Sequence, residues 1–339
     1  MSLKYVLRRL ILSLFIMLGV VTIVFIVSHI IPGDPAAVMA GREASKEAIQ
    51  KIRQEFGLDK PLFVQYVIYI KQLILYQNLG KSIHTWRPVS QDIREYFPAT
   101  LELVTFSMVL TLCIGIFLGV LSAVKKEKIP DHLTRLMALS GVSVPIFWLG
   151  LLLQFFLCYI LRVFPLNERI SINVVTAYPF HKVTGIYLLD AVLGLNWPVF
   201  KDSFLHLLLP ALTLSYGSSA QIIRMTRTSM LEVLNKDYIR AARAAGISST
   251  KVIFVHALRN AILPTLTLGG MVYGYLLGGT VLIETIFSWP GLGRYMVDSI
   301  FTLDFPAIVG VTLLYSGIVV LLNVLVDIVY LSINPRIRL

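Results

Sequence analysis

Cysteine and charged residues are both scarce in this sequence, and their scarcity excludes several classes of protein. Of the 339 residues, only two are cysteine and 14% are charged. The two cysteines, Cys113 and Cys158, lie inside apolar runs, so neither a disulfide framework nor a cysteine metal site is supported. The six histidines are scattered without metal-ligand spacing, and no pairing of a nucleophile with a base is recognisable. An enzyme is therefore not indicated, and no metal or bound cofactor is predicted.

A nucleotide-binding pattern is also lacking. Gly80-Lys81-Ser82 resembles the end of a phosphate-binding loop, but position 75 is Leu where that loop has its first glycine. Gly291-Leu-Gly293 lies beside Pro290 with no dinucleotide fingerprint after it. The chain is not predicted to bind ATP itself.

Apolar residues, in contrast, are abundant. They make up 56% of the chain, whose mean hydropathy is +0.77, and this is too apolar for a soluble domain. Six runs are long enough to cross ~30 Å of hydrocarbon as helices, which satisfy their own backbone hydrogen bonds in lipid. These predicted spans are Leu10–Ile31, Leu101–Val124, Leu136–Leu161, Phe204–Ile223, Ala261–Ile283 and Ala307–Leu331. The sequence predicts an all-α integral membrane protein with six transmembrane helices.

The distribution of lysine and arginine sets the predicted orientation. With a cytoplasmic N-terminus, the inside segments carry 16 of the 30 basic residues although they are together about half as long as the outside segments. Both termini are thus predicted to be cytoplasmic, and nearly all of the net charge of +11 lies on that face. Such charge favours attraction to anionic lipid over nucleic-acid binding. The N-terminal apolar run lacks a small-residue cleavage site and is interpreted as an uncleaved signal anchor.

Two long segments are predicted to lie outside the membrane. Pro32-Gly-Asp-Pro35 ends the first span, and the helical periodicity after it predicts two or three short helices between Gly41 and Thr100. The second segment, Arg162 to Ser203, is rich in proline and aromatic residues. It is either a surface for substrate or a partner, or a layer packed over the outer helix ends.

Three charged residues fall inside predicted spans, where charge is costly and often functional. Glu102 and Glu284 lie at span ends, where we expect them to reach lipid headgroups. Asp327 follows Asn323 by four residues, so the two share a helix face. This pair is either a structural contact or part of a proton relay, and the shortage of other buried carboxylates favours the structural role.

Glycines recur at four-residue spacing in two predicted spans. They are Gly115 and Gly119 in the second span, and Gly270, Gly274 and Gly278 in the fifth. Such spacing lets two helices approach closely. Helix packing is the favoured interpretation, and lining of a substrate path is the alternative.

The 224–260 segment is a polar, alanine-rich insert between two apolar spans on the predicted cytoplasmic side. Asn235 or Asp237 is predicted to cap a helix over Tyr238–Ala245, which Gly246 ends in the left-handed conformation. Ser248 or Ser249 is predicted to cap a second helix that runs into the fifth span. The small alanines leave a thin surface that fits a groove on a partner, with arginines beside it as charged contacts. The apolar face is too small for strong binding to lipid.

The motifs of this segment resemble the coupling loop of ABC-importer permeases, in which Glu-Ala-Ala is followed by three residues, glycine, nine residues and Ile-x-Leu-Pro. Arg240-Ala241-Ala242 and Gly246 occupy the first positions, whereas His256-Ala257-Leu258-Arg259 replaces Ile-x-Leu-Pro. That variant is similar to the peptide-importer branch, and in particular to the B-type permeases of dipeptide importers. Further matching pieces are Pro32-Gly-Asp-Pro35, Gly57-Leu-Asp-Lys-Pro61, Arg224-Met-Thr-Arg-x-Ser-Met-Leu-Glu-Val233, Glu284-Thr-Ile-Phe-Ser-Trp-Pro-Gly-Leu-Gly-Arg294 and Asn334-Pro-Arg-Ile-Arg338.

The resemblance implies a type I importer permease fold, located in the bacterial inner membrane. It divides the chain into a tail with the first helix (1–31), a periplasmic segment (32–96), a permease core (97–330) and a cytoplasmic tail (331–339). Within the core it implies a periplasmic loop at 162–203 and a coupling loop at 224–260.

The implied function is import of dipeptides or small peptides by alternating access. The implied partners are a second permease, two cytoplasmic ATPases that use ATP, and a periplasmic binding protein. The implied coupling residues are Arg240, Ala241, Ala242, Arg243, Gly246 and His256, while the substrate path stays unassigned. Alternatives are the same machinery carrying nickel, haem-like compounds, glutathione or antimicrobial peptides, and a proton-coupled peptide carrier.

Overall fold

The computed structural model describes residues 3–30, 36, 44–55, 57, 59–75 and 79–333. Over these ranges the chain is helical, with one isolated antiparallel bridge between Lys81 and Pro88. The helices are α1 Leu3–Ile30, α2 Lys46–Glu55, α3 Leu62–Leu75, α4 Val89–Val124, α5 Ile129–Ser143, α6 Ile146–Ile160, α7 Ile172–Ala177, α8 Tyr187–Leu193, α9 Trp197–Leu234, α10 Asp237–Ala244, α11 Ser249–Ile286, α12 Leu292–Phe301 and α13 Phe305–Ile333. Two stretches are π-helical: Gln154–Ile160 at the C-terminal end of α6, and Val252–Ala257 near the start of α11.

The predicted class, an all-α membrane protein, agrees with these helices. Among the described residues, α4, α11 and Phe305–Val326 of α13 are each long and apolar enough to cross a membrane. The α5–α6 pair, bent by 108° at its break, makes a fourth span if both helices are counted together. The predicted first span coincides with a shorter apolar stretch, Leu14–Ile26. The count of six spans therefore stays a prediction.

The contacts divide the chain into two compact units, Met1–Phe97 with Tyr295–Val320, and Pro98–Arg294 with Leu321–Leu339. In the first unit, Val21 of α1 packs with Val309 and Leu313 of α13. Polar contacts add to this core, because Asp304 accepts a hydrogen bond from Ser82 Oγ at 2.5 Å. The predicted boundaries at 31, 96 and 330 are not tested by this division.

In the second unit, α9 is the central helix and contacts α5, α6, α8 and α11. Glycines make close contacts possible there. A Cβ added to Gly119 would come within 2.6 Å of Thr226 Cβ, and one added to Gly270 would overlap Val326. These positions confirm the packing interpretation of the glycine spacing. Gly278 differs, because an added Cβ would meet no atom of the described residues within 4 Å.

The expectation that Glu102 and Glu284 reach lipid headgroups is wrong. Glu102 is 6% exposed and pairs with the buried Arg169, and its other oxygen accepts from the Leu188 amide at 2.8 Å. Glu284 is fully buried and accepts hydrogen bonds from Thr100 Oγ1 and from the amides of Gly293 and Arg294 in the first turn of α12. Both carboxylates are held by protein donors, which compensate for their burial.

Arg169 belongs to the 162–203 segment, so part of that segment packs onto the helices. Asp190 fixes the middle of the segment by accepting from Thr184 and the Gly185 amide. Three regions singled out in the sequence lie outside the described residues: 32–35, the side chain of Asp327, and the motif at 334–338.

Candidate coupling site

The helix predicted in the 224–260 segment is present as α10, Asp237–Ala244. Alanine and arginine have high helix propensity, and Asp237 lies in the first turn, where a negative charge favours the helix dipole. The predicted cap is wrong, because Lys236 precedes the helix and no side chain in the described part of the chain caps it. Asn235 instead ends α9, and its side-chain amide donates to the Leu231 carbonyl at 3.0 Å.

Gly246 ends α10 as predicted, with φ at +74°. Its amide donates to the Arg243 carbonyl at 3.0 Å, and the Ile247 amide donates to the Ala242 carbonyl at 3.2 Å. This pair of bonds is the Schellman arrangement, which satisfies carbonyls at the end of the helix. Ala242 and Ile247 also pack against the same apolar cluster. The end of α10 is therefore fixed by both backbone and side-chain contacts.

One buried side chain, Ile239, docks α10 onto the rest of the second unit. Ile239 is fully buried. Its cluster partners come from the ends of α4 and α9 and from the start of α11: Val120, Ala123, Met230, Val252, Ala257 and Ala261. Because α10 is too short to be stable alone, these contacts decide whether it holds its position. The helix α10 is thereby packed against three long helices.

The opposite face of α10 is exposed and small. Arg240, Ala241 and the turn through Gly246 are exposed there, whereas Arg243, four residues after Ile239, is exposed at the edge of the docked face. Among the residues that the structure describes, none comes within 4 Å of a Cβ added to Gly246. Arg240 Nη1 lies 3.4 Å from Asp237 Oδ1, but both side chains are largely exposed, so solvent weakens the pair. The result is a positively charged surface on which the small side chain of Ala241 lies beside Arg240.

A second contact connects α10 to α11. The side-chain amide of Asn260 donates to Tyr238 Oη at 3.0 Å and to the His256 carbonyl at 3.0 Å. His256 is half-buried in the π-helical stretch. Its carbonyl accepts from the same Asn260 amide that reaches Tyr238, so His256 takes part in this contact through its backbone.

A buried ion pair holds neighbouring helices at this end of the unit. Asp131 near the start of α5 is fully buried and accepts from Arg227 of α9 through Nε and Nη2, both at 2.9 Å. Ser122 of α4 donates to the same carboxylate at 2.5 Å. A paired arginine and carboxylate of this geometry is among the stronger hydrogen-bonded contacts. Three helices are joined next to the point where α9 leads into α10.

Two family models cover nearly the whole chain. Residues 115–339 match the binding-protein-dependent transport system inner membrane component, and residues 2–104 match the N-terminal model of the same kind of membrane component. The chain belongs to this permease family. The 224–260 segment and all of α10 lie inside the first match.

Curated relatives resemble this permease over nearly its full length. The probable D,D-dipeptide transport system permease protein DdpB of Escherichia coli K12 is 47% identical over 94% of this chain and 93% of its own. The dipeptide transport system permease protein DppB of the same strain is 43% identical over 99% of both chains. The glutathione transport system permease protein GsiC of Salmonella typhimurium is 39% identical over 99% of both.

The structure brings the predicted coupling residues of the permease together but gives them different positions. Arg240, Ala241, Arg243 and Gly246 share the exposed surface, whereas Ala242 is half-buried on the inner side. Sequence reasoning missed Ile239, although its spacing of three residues from Ala242 marks the inward face of a helix. It also missed the Tyr238–Asn260 contact, for which the sequence offers no local signal.

Proposed function

We propose that this chain is one permease subunit of an ATP-driven importer that moves dipeptides or similar small peptides inward by alternating access. It lies in the bacterial inner membrane with both termini in the cytoplasm. Support comes from family membership and from relatives named as dipeptide permeases over 94 to 99% of this chain.

The observation that carries the coupling part of the proposal is the two-sided structure of α10. One side is docked by the buried Ile239, the other presents Arg240 and Ala241, and the exposed Arg243 lies at the edge of the docked side. A surface of small and basic residues suits a groove on a separate ATPase subunit that carries complementary negative charge. Closure of two such ATPases then moves α10, and with it the ends of α4, α9 and α11.

The remaining partners follow from the same proposal. A second, related permease completes the path, a periplasmic binding protein delivers the peptide, and ATP binds the ATPase subunits. The exposed apolar side chains of α5 and α6, such as Leu139 and Phe156, suit lipid or the second permease.

The test is uptake of radiolabelled dialanine into proteoliposomes that contain the complete complex. Uptake that requires internal ATP, the ATPases and the binding protein supports the proposal. Uptake by the purified chain alone, driven by a pH gradient without ATP, would establish a proton-coupled carrier and refute it.

Glutathione is the second candidate cargo, because the GsiC relative is 39% identical over the full length. The same proteoliposomes distinguish the two cargoes when labelled glutathione competes against labelled dialanine. Preference for glutathione would keep the ATP-driven mechanism and change the cargo.

A further inference from the structure

A cavity of about 650 Å³ lies between α5 and the C-terminal half of α9. The two helices run side by side in opposite directions. Near the start of α5, Asp131 pairs with Arg227, and near its end Gly141 packs closely against Ala220. The cavity therefore follows the length of α5, and its volume falls within the ~300–1,000 Å³ that is usual for small-molecule sites.

One end of this cavity is basic. Arg135 of α5 and Arg224 of α9 line it, and both side chains are exposed. In the described part of the chain, neither arginine has a hydrogen-bond or ion-pair partner for its side chain. Arg227 also lines the cavity, but its ion pair with Asp131 neutralises it. The described lining residues include no Asp or Glu, so the charges of Arg135 and Arg224 are left uncompensated.

The other end of the cavity is apolar. Leu136, Leu139 and Val142 line it at three-residue spacing, which places them along one side of α5. Leu136 and Leu139 are 62% and 66% exposed, so this part is an open groove. With a rise of ~1.5 Å per residue, Val142 lies about 10 Å along the helix from Arg135. The cavity thus combines a basic end with an apolar groove, as a site for an amphiphile requires.

The predicted spans indicate the depth of the basic end in the membrane. Arg135 directly precedes the predicted span Leu136–Leu161, and Arg224 directly follows the predicted span Phe204–Ile223. Both arginines therefore fall where hydrocarbon meets the lipid headgroups, on the predicted cytoplasmic side, and the apolar groove extends from there into the hydrocarbon. Basic pockets between helices at this depth suit the headgroups of anionic lipids.

We propose that this cavity binds one anionic phospholipid of the inner leaflet, with its phosphate at the two arginines and an acyl chain along the apolar groove. Arginine suits this role because its guanidinium offers paired donors to a phosphate. A phospholipid such as phosphatidylcholine carries its own cation and gains less from two arginines. A soluble phosphate would leave the apolar groove uncovered, so a lipid matches both ends. The leaflet follows from the proposed orientation, whereas the binding itself does not depend on transport.

Lipid binding to the purified complete complex in a neutral detergent tests the site, with native mass spectrometry as the measurement. The probes are phosphatidylglycerol and phosphatidylcholine with identical acyl chains. We expect tighter binding of phosphatidylglycerol to the unmodified complex. The double variant Arg135→Gln/Arg224→Gln should bind phosphatidylglycerol about 10- to 30-fold more weakly, because each basic residue beside an anionic lipid contributes about fivefold. Its affinity for phosphatidylcholine should change little.

Two further double variants are the controls. Lys125→Gln/Lys128→Gln removes the same charge from the exposed turn before α5, and neither lysine lines the cavity, so affinity should fall less than about twofold. Arg135→Lys/Arg224→Lys keeps the charge and should retain most of the preference. Without added lipid, Arg135→Gln/Arg224→Gln should unfold at the unmodified temperature, because both side chains are exposed. Added phosphatidylglycerol should raise the unfolding temperature of the unmodified complex more than that of this variant.

Three results would overturn the lipid site. The first is equal affinity for the two phospholipids, or an equal loss in the arginine and lysine variants. The second is full displacement by glycerol phosphate, which has a phosphate but no acyl chain and would reveal a site for soluble anions. The third is binding to the isolated chain that disappears in the complete complex, because the second permease then covers the cavity. None of these results bears on ATP-driven uptake, so the proposed function is judged separately.

Discussion

Replacing Ile239 by alanine should release α10 while leaving the long helices intact. Ile239 is fully buried in a cluster with Met230 and Ala257, both also fully buried. Truncation of such a side chain costs about 2–5 kcal/mol. A cost near ~3 kcal/mol multiplies the equilibrium constant for local opening by roughly 100. Because α10 has only eight residues, it has little helical stability of its own to oppose that opening.

Hydrogen–deuterium exchange of the purified chain in detergent measures this opening directly. Amide exchange in residues 237–247 should rise by about two orders of magnitude in Ile239→Ala, whereas α4 and α9 keep their protection. Val255→Ala is the matched control, since Val255 is 54% exposed in the same segment and should change exchange little. Unchanged exchange in 237–247, or an equal rise throughout the chain, would refute the view that Ile239 docks α10.

Two further predictions concern helix packing and the buried ion pair. Gly270→Ala should lower the thermal unfolding temperature, because the added methyl overlaps a neighbouring helix and overpacking costs about 1–3 kcal/mol. Gly278→Ala should raise it slightly, since that position is open and alanine favours a helix by roughly 0.5–1 kcal/mol; equal shifts would contradict the packing assignment. Asp131→Asn should lower the free energy of unfolding by about 3 kcal/mol. This is the lower end of the range for breaking a buried ion pair, because Arg227 is 23% exposed. The control in the same melting experiment is Glu127→Gln, since Glu127 is largely exposed. An equal loss of stability in both variants would exclude a stabilising role for the Asp131–Arg227 pair.

Much of the fold follows from local signals in the sequence. The helices follow from the apolar runs, and the left-handed Gly246 follows from the end of an alanine-rich helix. The close packing at Gly119 and Gly270 follows from spacing. Each of these depends on residues near one another in the chain, where periodicity and propensity are informative.

The parts that could not be predicted depend on contacts between distant segments. Glu284 lies at a span end, which alone suggests access to headgroups, but Thr100 and the first turn of α12 enclose it. The buried Ser218 hydroxyl, which has no hydrogen-bond partner among the described residues, could not be predicted either, because most helical serines bond to their own helix. The break at Pro145, in contrast, could have been predicted from the sequence, since proline disfavours the helical conformation for the residue before it.

The most direct test of coupling through α10 is the number of dipeptides imported per ATP hydrolysed by the complete reconstituted complex. Gly246→Val forces a β-branched residue into the left-handed conformation, at a cost of about 1–2 kcal/mol, whereas asparagine tolerates it. We predict a ratio lowered about five- to thirtyfold in Gly246→Val and close to the unmodified value in Gly246→Asn. An unmodified ratio in Gly246→Val would contradict the role of α10 as the coupling element.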